Sequence, residues 1–199
     1  MIKNIILFAL VVLFNSACVT AYGPYGPTGG YTDEKIDEDT YIVSFVGNSN
    51  TPTDRVWAYW IYRCAELTRE KGFDYFTLTP IDKTSKYYDD QADEQAYKFT
   101  MIDPGNLRGD EQNYFKKTYT ITVVTYTSRA QVDMYRHPGP SDISFLLNAQ
   151  TILKELDQYI KSKGKSELME RKTLLMRAAI EAAIRRNLTT RTDADRLEL

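Results

Sequence analysis

The first hydrophobic pattern in the chain is a continuous apolar run from Ile5 to Phe14, preceded by Lys3 and followed by Asn15, Ser16 and Ala17 before Cys18. A basic start, a short apolar middle and a small-residue end are the three parts of an export signal. Ten apolar residues rise only about 15 Å as a helix, half of the roughly 30 Å of hydrocarbon a spanning helix must cross, so a permanent span is not expected. Residues 41–46 alternate, with Tyr41, Val43 and Phe45 on one face, and predict a strand closing on Gly47-Asn48. At Thr51 the period changes. Thr51 as N-cap, Pro52 at the first helical position and Asp54 in the capping-box position predict a helix that runs to Lys71 and stops at Gly72. Val56, Trp57, Trp60, Ile61, Cys64, Leu67 and Thr68 form its apolar stripe, with Arg55, Arg63, Glu66, Arg69 and Glu70 largely outside it. Residues 73–78 alternate again, so strand, helix and strand make a compact βαβ or split unit.

Residues 82–92 are polar and read as a loop, residues 97–102 as a strand, and Asp103-Pro104-Gly105-Asn106 as a turn. Residues 117–127, nearly all β-branched or aromatic, form the strongest strand signal in the chain. Residues 142–147 either continue as strand or begin a helix. Asn148 is the expected N-cap of a helix over 149–161, with Ile152, Leu153, Leu156 and Ile160 on one face. Gly164 interrupts, and Ser166 caps a second helix over 167–187 with a seam of Met169, Thr173, Met176, Ile180 and Ala183 that folds back on the domain or awaits a partner. The expected fold class is α+β: a small, mainly antiparallel sheet covered by one or two helices, plus a C-terminal helical extension. The domain plan is a signal peptide over 1–17, a Gly- and Pro-rich flexible tether over 18–39, the α+β domain over 40–161, and a helix with a polar tail over 162–199.

Composition changes the picture in three places. A single His and two Cys among 199 residues exclude most metal cages and any disulfide-rich scaffold. The net charge of −2 does not suggest a nucleic-acid partner. The charge is also uneven: residues 18–127 carry 11 basic and 17 acidic side chains, residues 128–188 carry 11 and 7, an asymmetry that favours a surface contact or self-association.

Asn-Ser-Ala-Cys18 resembles a lipobox, in which the cysteine thiol becomes a thioether to diacylglycerol and the residue becomes the new N-terminus; Asn15 departs from the aliphatic residue usual there. Two or three acyl chains on one residue anchor stably, since each buried CH₂ contributes about 0.8 kcal/mol. Val19 stands where an inner-membrane retention Asp would be expected, which points to the outer membrane, the domain facing the periplasm. Gly30-Tyr31-Thr32-Asp33, Tyr41-x-Val43-x-Phe45-x-Gly47-Asn48, Ala65-Glu66-Leu67-Thr68 and Gly72-Phe73-Asp74-Tyr75-Phe76 together resemble an uncharacterised family of small proteobacterial lipoproteins. Cys64 replaces the Ala usual before Ala65, and the resemblance spans roughly residues 18–160. It implies an envelope location and an α+β fold, and supplies no catalytic residues.

The chemistry-bearing residues are few. His137 lies in the turn sequence Tyr135-Arg136-His137-Pro138-Gly139-Pro140 and reads as a surface residue; as a base it would need a nucleophile and an orienting partner. Cys64 paired with His137 is the most concrete enzymatic reading, set against an inert thiol on the apolar stripe. Asp89, Asp90, Asp93 and Glu94 lack the EF-hand spacing and read as a solvated loop, and Glu66 reads as a helix-surface partner of Arg63 or Arg69. Tyr22, Tyr25, Tyr31, Tyr87 and Tyr88 fall in expected loops, where they stack on sugars, meet a lipid interface or pack over sheet edges. The leading expectation is a non-enzymatic lipoprotein with no cofactor or metal, attached through Cys18 and meeting an envelope partner or itself through the C-terminal helix. The alternative is a periplasmic enzyme or a glycan- or small-ligand-binding lipoprotein.

Overall fold

In a computed structural model the described residues are 19–81, 96–102, 118–124, 127–143 and 145–192. The signal segment, Cys18, the acidic residues 89–94, Tyr87 and Tyr88 lie outside them. Seven strands are described: β1 (Gly29–Lys35), β2 (Thr40–Gly47), β3 (Tyr75–Thr79), β4 (Ala96–Ile102), β5 (Thr118–Val124), β6 (Thr127–Tyr135) and β7 (Leu147–Asn148). Three helices accompany them: α1 (Thr53–Glu70), α2 (Ala149–Lys161) and α3 (Arg171–Arg185).

Five strands form one antiparallel sheet in the order β1-β2-β6-β3-β7, and β4 pairs with β5 in a separate antiparallel ribbon. The protein is therefore α+β. Because β2 and β3 both run antiparallel to β6, which lies between them, the β2-α1-β3 unit is the split form of the expected pair. The strand expected over 117–127 is divided: β5 pairs with β4, while Thr127 already belongs to β6. β6 carries no obvious apolar run, yet its alternate residues Ser128, Ala130, Val132 and Met134 are all buried at the centre of the sheet.

Helix α1 is the hub. The run Val56-Trp57-Ala58-Tyr59-Trp60-Ile61 is wholly buried, so the helix is covered around most of its circumference and not along a single stripe. It packs on β2 and β6 and against α2, and the Trp60 Nε1–H donates to the Val43 carbonyl of β2 at 2.9 Å, satisfying the indole where water cannot reach it. Its start differs from expectation. Pro52 occupies the N-cap position with no side-chain cap, because the Thr51 hydroxyl is turned away to accept the Thr20 N–H at 2.9 Å. Its end is as expected: Gly72 takes φ +81°, and the Phe73 N–H reaches back to the Thr68 carbonyl at 3.0 Å, a Schellman closure that a Cβ would strain.

Asn148 caps α2 as expected, its side chain accepting the Thr151 N–H at 3.1 Å. Ser166 does not cap α3. Its N–H is held by the Ser162 hydroxyl at 3.0 Å, the chain stays non-helical through Glu170, and Met169 precedes the helix. Nor is α3 an appended element: Leu174, Leu175, Met176, Ala178, Ala179 and Ile180 belong to the same apolar cluster as Val43, Trp57 and Trp60. Polar stitches reinforce this. Arg55 donates to the Gly164 carbonyl at 3.0 Å, Arg171 pairs with Asp54 and lies over the Trp57 ring, and Arg186 donates to the carbonyls of Pro138, Pro140 and Ile143 at 2.6–2.9 Å. The core thus continues past residue 161, the expected end of the α+β domain.

Candidate functional site

The segment expected as a tether is folded from its first described residues. Thr20 is buried, and besides its bond to Thr51 its hydroxyl donates to the Thr28 carbonyl at 2.5 Å and accepts the Asn48 N–H at 2.9 Å. Residues 23–31 form a tight hairpin, with Gly26 and Gly29 exchanging hydrogen bonds at 3.0 Å and the Tyr31 N–H donating to Gly23 at 2.9 Å. Gly30 makes this possible: at φ +135°, a Cβ there would lie 2.5 Å from the Pro24 carbonyl oxygen. β1 then pairs with β2 over its whole length. Glycine and proline, which suggest flexibility when counted, here build a turn whose backbone groups are paired.

This N-terminal segment is locked to α1 through Arg63. Arg63 is 6% exposed, so the reading of Arg63 and Glu66 as a solvent-facing pair is corrected. Nε and Nη2 grip Asp33 of β1 at 2.7–3.2 Å, Nη1 donates to Glu66 Oε2 at 2.5 Å, and Nη1 and Nη2 form a fork on Glu70 at 3.0 and 2.9 Å. The Tyr31 ring lies 4.4 Å beneath the guanidinium. The Tyr22 hydroxyl donates to Glu66 Oε2 at 2.5 Å, and its ring meets those of Tyr31, Tyr59 and Tyr62 at 5.2–5.6 Å. Burial works against the charge on Arg63, but the bonds to Asp33, Glu70 and Glu66 outweigh it and raise its pKa. Burial, with the bond to Glu66, pushes the Tyr22 phenol up. A guanidinium held charged and a Tyr22 phenol held neutral suit a clamp.

The two residues singled out for catalysis have separate surroundings. Cys64 is fully buried in the α1 core, and burial, reinforced by the Asp33 charge, holds its thiol well above the ordinary value. His137 is exposed in the turn after β6, its Nδ1 2.8 Å from the hydroxyl of buried Tyr75. Burial raises the Tyr75 phenol. The turn is fastened through Asp74, which accepts the His137 backbone N–H at 3.0 Å and the Arg69 guanidinium at 2.5 Å. No group of three or more His, Cys, Asp or Glu side chains able to hold a metal occurs among the described residues. Of the tyrosines considered for stacking, Tyr22 and Tyr31 are packed and Tyr25 is 60% exposed.

Asp74 carries a pH dependence. Burial opposes its charge, but the His137 N–H and Arg69 prevail and hold its pKa below the ordinary carboxylate value. A depressed folded-state pKa contributes stability that is present above the unfolded value of about 3.9 and is lost as pH falls through the folded value. Asp74→Asn is therefore expected to cost about 1 kcal/mol at neutral pH and to flatten the decline in stability below about pH 4. Urea midpoints for both proteins between acid and neutral pH check this; parallel curves would refute it.

The fold defines an α+β protein built on an open five-strand antiparallel sheet. No protein family, curated protein or solved structure matches the chain.

Proposed function

We propose that this protein is a lipid-anchored component of the bacterial cell envelope, acylated at Cys18, which acts by presenting its domain to an envelope partner and not by catalysis. The observation that carries the reading is the N-terminal pattern: Lys3, the apolar run from Ile5 to Phe14, and Asn15-Ser16-Ala17 directly before Cys18. Its resemblance to small proteobacterial lipoproteins supports the same location, and Val19 favours the outer membrane. Among the described residues no helix is long and apolar enough to cross a membrane, which is compatible with attachment through lipid. Acyl chains confine the domain to a surface and raise its effective concentration toward a partner there. The apolar residues of α3 are buried in the domain's own core, which favours exposed surface over that helix seam for partner contact and self-association.

The test is the mass of the mature N-terminus together with fractionation. Wild type is expected in the membrane fraction, beginning at a Cys18 that carries a diacylglyceryl thioether. Cys18→Ser is expected to lose the lipid and most of the membrane association. A wild-type chain without lipid, or one whose partitioning the substitution leaves unchanged, would refute the reading.

A further inference from the structure

The position at which the fold takes hold of the chain fixes how the domain would meet a bilayer. Thr20 is pinned by Thr51, Asn48 and Thr28 only two residues after Cys18. Two residues span at most about 7 Å. A headgroup layer is about 5–8 Å deep, so lipid on Cys18 leaves no room for a hydrated gap between bilayer and protein. The end of the domain around Thr20 must rest on the membrane.

The surface at that end suits the contact. Residues 19–32 contain no charged side chain, and neither do residues 47–53, which include the Asn48-Ser49-Asn50 loop that holds Thr20. Tyr25, in the exposed Pro24-Tyr25-Gly26-Pro27 turn, is the most exposed large hydrophobic residue among those described. Its backbone is fixed by a 2.9 Å bond to Tyr31, so the ring is presented from a rigid base, and tyrosine favours the headgroup level. Beside this face, Arg55 in the first turn of α1 holds Gly164 between exposed Lys163 and Lys165; residues 161–172 carry five basic and two acidic side chains.

The opposite end of the β1-β2 hairpin is different in kind. Six residues along β1 from Gly29, about 20 Å away, the tip has four acidic residues and one lysine between Glu34 and Asp39. An uncharged end with a basic flank and an acidic far tip orient the domain in the field of an anionic membrane.

We propose that Val19, residues 23–28 and the 47–52 loop form a membrane-seating face, with Tyr25 in the headgroup layer, Lys163 and Lys165 toward anionic phosphates, and the 36–39 tip pointing away. This rests on acylation of Cys18. The test uses the acylated mature chain in phosphatidylcholine–phosphatidylglycerol vesicles, with an environment-sensitive thiol label placed by Tyr25→Cys or, in a second protein, by Asp37→Cys. Buried Cys64 does not compete for the label. Quenchers carried on the lipids are expected to suppress emission at position 25 severalfold more than at position 37, and the spectrum at 25 is expected to shift to the blue. Equal, water-like emission at both positions from a vesicle-bound, acylated chain would overturn the seating face alone. A chain whose Cys18 carries no lipid by mass would overturn the anchor on which it rests.

Discussion

A chain ending at Lys163 is expected to lose the native fold altogether. Sequence periodicity leaves open whether the helix within the last 36 residues folds back on the domain or awaits a partner, and the structure makes α3 part of the core. Leu174 and Leu175 are fully buried and Met176 and Ile180 are each 5% exposed. Burial of such side chains contributes about 2 kcal/mol apiece, so these four alone represent about 8 kcal/mol. That is comparable with the whole stability of an ordinary domain, about 5–15 kcal/mol. The truncation also removes the Arg171 stacked on Trp57 and the Arg186 that fastens the 138–143 turn. Amide NMR spectra should show the truncated chain without native dispersion, while a chain ending at Arg191 should keep it. A dispersed, cooperatively melting protein ending at Lys163 would show that β2, α1 and β3 suffice for a core.

The second large effect is expected at Arg63. Arg63→Met replaces a buried guanidinium by an apolar side chain of similar length and leaves Asp33, Glu66 and Glu70 facing one another without their cation. Removing one partner of a buried ion pair costs about 3–5 kcal/mol; the partial exposure of Glu66 and Glu70 places this case near 3. Arg63→Lys should recover less than half, because an ammonium cannot grip Asp33 and Glu70 with paired donors. Coupling identifies the cause: with Asp33→Asn already present, Arg63→Met should cost distinctly less than it does alone. A loss below about 1 kcal/mol in urea unfolding would place the cluster among ordinary surface pairs. Because Asp33, Tyr31 and Tyr22 belong to the segment that follows Cys18, the variant should also loosen the N-terminal hairpin, visible as faster amide exchange at Tyr31.

The cluster shows where reading by pattern falls short. Arg63 lies among charged residues three and seven positions from Glu66 and Glu70, the usual signature of a solvated helix face. A contrary signal was present, since seven consecutive apolar residues from Val56 to Tyr62 cannot all lie on one stripe and imply a helix buried on several sides. An arginine in such a helix is buried with it and must find carboxylates. Asp33 could not be named as one of them, because it comes from a strand 30 residues earlier whose sequence, Gly-Gly-Tyr-Thr-Asp-Glu-Lys, carries little β propensity.

The sequence by itself determined the local elements whose signal lies within one stretch of chain: the alternation of β2, the Gly72 stop of α1, the Asn148 cap of α2, and the α+β class that follows from them. Each depends on steric and hydrogen-bonding preferences that act over a few residues, so neighbours suffice to reveal it. Tertiary structure alone decided that β6, with only serine, alanine, valine and methionine facing inward, is the central strand, because its neighbours on both sides and α1 above it supply the burial its own residues do not advertise. It likewise decided that the Gly-Pro segment after Cys18 is a fixed hairpin, that Arg63 is a buried clamp and that α3 is core. In each case a stabilising partner lies tens of residues away, and the pattern within one segment does not name a partner at that separation.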